Sequence, residues 1–150
     1  MTIIEEFFKA HQLPSYTLSW QCETVTLPWE ERCRSHGKRK TDQGLPFALS
    51  LPSGTVLSEG DCFVLSEEQR VVTVCESEED VYVLQPSSSY EWAYWSYQIG
   101  NRHQALMIGK TEIICMQEPA VKQLLDQLDL YYLEDRRRFT PTVKVSGHTH

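Results

Sequence analysis

A chain of 150 residues with 41% apolar content is long enough for one ordinary domain or two small ones, and too apolar to be disordered. Its 14 Lys and Arg stand against 21 Asp and Glu, and the resulting net charge of −7 opposes nonspecific attraction to phosphate backbones and to anionic membrane surfaces. Nucleic acid and membrane are therefore not expected as partners, and no apolar run approaches the roughly 20 residues of a membrane span.

The opening stretch carries Glu5 and Glu6 where a secretory leader would carry Lys or Arg, so a cytoplasmic location is expected. Residues 16 to 27, Arg32 to His36 and Pro46 to Leu51 alternate like β structure, with turn residues between them. Pro52 to Gly54 and Glu59 to Asp61 are tight turns by residue type. Cys62 to Leu65 and Arg70 to Val74 read as a hairpin across Ser66 to Gln69. Residues 1–76 are thus predicted to form an all-β domain. Five cysteines, Cys22, Cys33, Cys62, Cys75 and Cys115, form an odd set without a Cys-x-x-Cys pair, which argues for reduced structural thiols rather than disulfides or a zinc knuckle.

The acidic stretch Glu76 to Asp80 reads as a boundary, and beyond it the pattern becomes strand, helix, strand, strand, helix, strand. Val81 to Leu84 is the first strand. Residues 88 to 99 are predicted as a helix opened by a Ser88-x-x-Glu91 capping box and closed by Gly100 as a left-handed cap. Gln104 to Ile108 and Glu112 to Cys115 are the next strands, joined through a turn at Gly109 and Lys110. A second helix starts with Pro119 at its first position, and Val121, Leu124, Leu125 and Leu128 recur at i, i+3, i+4 and i+7. Leu130 to Leu133 reads as the last strand. The order β-α-β-β-α-β over residues 77–140 predicts an α+β, ferredoxin-like domain, followed by a flexible tail, 141–150, with His148 and His150.

Each half holds about seventy-five residues, a size at which cores are marginal, so a homodimer is expected. The aromatics of the first helix exceed what one core stripe needs, because Tyr90, Tyr94 and Tyr97 spread round a different arc from Trp92, Trp95 and Ile99.

The heptapeptide Tyr97 to His103, ending Gly100-Asn101-Arg102-His103, the Leu51 to Asp61 segment and the element order together resemble the urease accessory protein UreE family. The resemblance runs from about Tyr16 to about Asp135. It implies a nickel metallochaperone with an N-terminal β domain likened to a peptide-binding module and a ferredoxin-like metal domain that dimerises. It also implies that His103 is the histidine that binds nickel at the dimer interface, and that the urease apoprotein and its accessory GTPase are partners. Many relatives carry a second His-x-His pair where this chain has Gln117 and Pro119, so a second metal site is not expected. Cys115 lies nearby and reads as a structural thiol.

One imidazole per chain is too few to hold Ni(II), Zn(II) or Cu(II), but a residue near a two-fold axis meets its own copy. Two His103 rings would then share one ion, with His148 or His150 adding donors from the tail. Ligands on a tail can detach one at a time, which suits delivery rather than storage. Imidazole coordinates in its neutral form, so affinity is expected to fall as pH drops through about 6.5.

His11 and His36 read as surface residues, the latter among Arg32, Arg34, Lys38 and Arg39. The basic triplets 38–40 and 136–138 read as solvated faces or contacts for an acidic partner. An RNA-binding sheet would carry its aromatics on strands, whereas these lie on a helix. The remaining alternative is a peptide-binding adaptor of urease maturation that has lost tight metal binding. No Ser-His-Asp set, phosphate-cradling glycine loop or His-Glu-x-x-His helix marks an enzyme.

Overall fold

In the computed structural model, which describes residues 1–142, the chain divides into two compact units, one of Met1–Ser77 and one beginning at Glu78. The first holds β1 (Ile3–Ile4), β2 (Gln21–Leu27), a single-turn helix α1 (Trp29–Arg32), β3 (His36–Lys40), β4 (Pro46–Ser50), β5 (Cys62–Leu65) and β6 (Arg70–Glu76). They make two three-stranded sheets, β1-β4-β3 and β2-β6-β5, with β1 parallel to β4 and β2 parallel to β6. The expected hairpin is present as β5 and β6, antiparallel from Cys62 opposite Thr73 to Leu65 opposite Arg70.

Both sheets contribute to one apolar cluster, which includes Ile4, Leu49 and Phe47 from the first and Val25, Phe63, Leu65 and Val74 from the second. The Phe47 and Phe63 rings lie 5.7 Å apart. A buried polar group ties the layers: Glu23 accepts from the Thr41 hydroxyl at 2.6 Å and from Arg70 Nε at 3.1 Å. A charge buried with two partners is satisfied, and losing either partner would leave it exposed to a low dielectric. In the Leu51 to Asp61 segment Leu51 and Leu57 are buried anchors. Gly54 and Gly60 take positive φ in the turns, and fully buried Asp61 accepts from the Ser58 amide and pairs with Lys9 at 2.6 Å.

Three sequence expectations fail in this unit. Ser15–Ser19 is a 3-10 turn, so the strand predicted from residue 16 begins at Gln21. Of the strand expected at Arg32 to His36 only His36 lies in one, as the first residue of β3, and Arg32 to Ser35 do not. Arg32 instead ends α1, where its guanidinium is buried over the Trp29 ring and pairs with Glu76 at 3.0 Å. The unit is therefore β-rich rather than wholly β.

The second unit contains β7 (Glu78–Leu84), α2 (Ser89–Asn101), β8 (Leu106–Ile108), β9 (Ile113–Met116), α3 (Pro119–Gln127) and β10 (Leu133–Arg138). Its sheet has the order β10-β7-β9-β8, and every neighbouring pair is antiparallel. Ile99 of α2 and Val121, Leu124 and Leu125 of α3 share a core with Tyr82, Leu84, Leu106, Ile113 and Cys115, with Trp92 and Trp95 packed against it. The apolar stripe predicted for α3 is the buried one.

The two units divide within the acidic stretch, after Ser77, and Glu78, Glu79 and Asp80 already open β7, where they stand opposite Arg138, Arg137 and Arg136 of β10. The Arg136 guanidinium reaches Asp80 at 2.7 Å. One expectation fails here as well. The last strand is the charged Leu133–Arg138 rather than Leu130 to Leu133. Leu130 and Tyr132 instead pack against the core from the connection. Backbone ladders and opposite cross-strand charges hold β10, which needs no apolar face at the sheet edge.

Candidate metal centre

The Ser88 hydroxyl caps α2 by accepting the Glu91 amide at 3.1 Å. The return bond of the expected capping box goes one residue further out, because Glu91 Oε1 accepts from the Ser87 amide at 2.8 Å and the Ser87 hydroxyl at 2.7 Å. The carboxyl of Glu91 is thereby held below its ordinary range, chiefly by the Ser87 hydroxyl.

At the other end the cap differs from the expectation. Gly100 is helical, and α2 runs through Asn101. The left-handed residue is His103 itself, at φ 58°. Its amide donates to the Gly100 carbonyl at 3.0 Å, and the Gln104 amide donates to the Ile99 carbonyl at 3.3 Å. These are the two bonds of a Schellman motif, whose left-handed position usually belongs to glycine. An L-residue there carries a steric cost of about 1 kcal/mol or more, although histidine tolerates it better than a β-branched side chain. Buried Ile99 fixes the helix beneath, and the His103 side chain is exposed just beyond the end. The imidazole thus leaves a rigid element at a defined point.

The chain after β10 brings its continuation back to the same neighbourhood. β10 and β8 are opposite edges of the sheet, yet Thr142 donates its amide to the Leu106 carbonyl at 2.9 Å and accepts the Ile108 amide on its hydroxyl at 2.9 Å. Phe139 and Pro141 are buried along the crossing. The residues leading toward His148 and His150 therefore start beside Leu106, three positions after His103. The two tail histidines themselves lie outside the described residues. Sequence reasoning missed Thr142, because a hydroxyl residue between Pro141 and Val143 carries no signal of a long-range strand contact.

Among the described residues no group of three or more His, Cys, Asp or Glu is arranged to hold an ion. Cys115 is fully buried and its thiol is pushed up to about 12 by burial, which keeps it protonated and unsuited to ligation. Gln117 is occupied structurally, donating its side-chain amide to the Val81 carbonyl at 2.9 Å. His11 and His36 are exposed in the first unit, and His36 Nδ1 lies 2.9 Å from the Ser35 hydroxyl. Tyr90 and Tyr97 are exposed on α2, with the Tyr90 and Tyr94 rings stacked at 5.6 Å. No helix among the described residues is long and apolar enough to cross a membrane.

Comparison with known proteins bears on the whole chain. The family model of the UreE urease accessory protein N-terminal domain matches residues 4–76, and that of the C-terminal domain matches residues 79–150. The urease accessory protein UreE of Lysinibacillus sphaericus is 32% identical over 128 residues, covering 85% of this chain and 86% of that protein. The protein of the same name from a Synechococcus species is 33% identical, with the same coverage of both chains. That of Prochlorococcus marinus is 25% identical over 83% of this chain and 80% of its own. With both domains matched in order and relatives aligned along most of their length, the chain belongs to the UreE family of urease accessory proteins.

Proposed function

We propose that this protein is a nickel-carrying metallochaperone of urease maturation, not itself an enzyme, that holds Ni(II) between two copies of the chain. Family membership supports the role in maturation, and the sheet order β10-β7-β9-β8 with both helices in one core supports a ferredoxin-like metal domain. The observation that carries the metal reading is the convergence of His103 and the Thr142 root on the Leu106 strand. A single exposed imidazole on a rigid cap is a weak site. Two of them across a dimer axis, supplemented by His148 or His150, give the several nitrogen donors that a borderline divalent ion needs. Six residues from Thr142 to His148 reach at most about 20 Å, which is enough to return to His103.

The ion in this account is cargo. His103 holds it from a fixed backbone position, whereas the tail donors leave singly, so transfer proceeds by stepwise ligand exchange. The urease apoprotein and its accessory GTPase in the cytoplasm are the proposed recipients. Zn(II) and Cu(II) would compete at the same imidazoles, because the affinity order of divalent ions favours copper.

Calorimetric titration of nickel into the purified protein tests the reading. His103→Ala is expected to abolish tight binding, and His148→Ala with His150→Ala to weaken it. An unmodified chain that takes up no nickel at neutral pH would leave a peptide-binding adaptor as the better description.

A further inference from the structure

The two basic triplets of the sequence have opposite fates. In the second triplet Arg136 pairs with Asp80 at 2.7 Å and Arg137 with Glu112 and with Asp135 at 2.9 Å, and the strand opposite carries Glu78, Glu79 and Asp80, so its charge is answered within its own unit. On β3, His36, Lys38 and Lys40 stand opposite Ser50, Ala48 and Pro46, none of which carries charge. Among the described residues no carboxylate lies within ion-pairing distance of Lys38 or Lys40. All three side chains are exposed, and residues two apart on a strand share one face. In a protein of net charge −7 this row is a local reversal of sign.

β3 is also a terminal strand of its sheet. The Thr41 amide donates to the Leu45 carbonyl and the Leu51 amide to the Ser35 carbonyl, which places the inward hydrogen bonds of the hairpin at odd-numbered β3 positions. The amides of His36, Lys38 and Lys40 therefore face away from β4. The Ala48 amide, opposite Lys38, donates to Thr2 on the far side, as this phase requires. Arg39 does not join the row, since its guanidinium folds back onto the Lys38 carbonyl at 2.8 Å and pairs with Glu31 at 3.1 Å. Gly37, at φ 127°, leaves room for that fold. A shallow cavity lined by Met1, Lys38, Arg39, Lys40 and Pro46 lies at the end of the row.

We propose that the outer edge of β3 docks an extended acidic segment of a partner protein, which adds as a strand and sets alternate carboxylates against His36, Lys38 and Lys40. The same three residues offer outward amides and same-face cations, so a strand with an acid at every second position satisfies both at once. Lysines on an edge strand also serve simply to block pairing between sheets, and that role predicts no peptide affinity. The proposal does not depend on nickel.

The test uses the full chain labelled with nitrogen-15 and two synthetic peptides of equal charge, one alternating glutamate and valine and one with the glutamates in a single block. The alternating peptide is expected to shift and protect the amides of His36, Lys38 and Lys40, with affinity falling in about 0.5 M salt. Lys38→Glu with Lys40→Glu is expected to weaken binding at least about ten-fold while leaving thermal stability and nickel uptake unchanged. The proposal is overturned if neither peptide binds, if the block peptide binds equally well, if oligouridylate competes for the row, or if the edge pairs with a second copy of the chain instead.

Discussion

Thr142 is bonded to Leu106 across the whole width of the second sheet, and this contact fixes where the C-terminal residues begin. Thr142→Pro removes the amide that makes it. The last fixed point before His148 then retreats toward Phe139, and the intervening chain grows from six residues to nine. Loop-closure scaling puts the added cost at about 0.4 kcal/mol, roughly two-fold in nickel affinity. Calorimetry on this variant should show that small loss. Complete loss of binding would mean that Thr142 does more than anchor.

The left-handed backbone at His103 sets function against stability. His103→Gly and His103→Ala both remove the imidazole, but only glycine relieves the strain at φ 58°. The glycine variant should be more stable than the alanine variant by about 1 kcal/mol in urea unfolding, and neither should bind nickel tightly. Equal stabilities would show that the cap tolerates an L-residue without cost.

Much of this was legible from the chain, and the failures share a physical cause. α3 was readable because its proline start and its i, i+3, i+4 stripe are local signals that tertiary packing did not override. β10 was not, since Leu133–Arg138 is almost wholly exposed and is held by partners far away in sequence. The charges of 78–80 marked a boundary in the sequence, while their place in a strand opposite 136–138 depended on partners more than fifty residues away. Gly100 invited assignment as the helix cap, yet the helix continued one residue past it and His103 took the strained position. His103 as the site residue came from its tetrapeptide context, whereas the Thr142 root of the tail could be seen only in three dimensions.

Acid should weaken the first unit through Asp42. Burial alone would raise its carboxyl, but the hydroxyls of Thr24 at 2.6 Å and Thr26 at 2.8 Å and the Thr26 amide outweigh this and hold it below the usual carboxylate range. A carboxyl lowered in the folded state contributes its stabilisation above the unfolded value of about 4 and loses it as pH falls through the folded value. Asp42→Ala should therefore destabilise the protein near neutrality, with the gap to the unmodified chain closing in more acid solution. A gap that stays constant in urea melts across that range would contradict the assignment.

Thiol reactivity separates structural from accessible cysteines. Cys22 and Cys33 are exposed, whereas Cys62 and Cys115 are buried, and burial pushes the Cys115 thiol up to about 12. A disulfide reagent at neutral pH should modify Cys22 and Cys33 quickly and Cys115 only as fast as the protein unfolds. Labelling of Cys115 as fast as Cys22 would reopen it as a metal ligand.

The sharing of one ion by two chains through His103 has a stoichiometric signature, read by counting bound nickel per chain in protein whose mass is followed by ultracentrifugation. One tightly held ion is expected for each pair of chains in the unmodified dimer, and none in a dimer of equal mass carrying His103→Gly. One ion per single chain, or an undiminished count without His103, would rule out a shared site at that histidine.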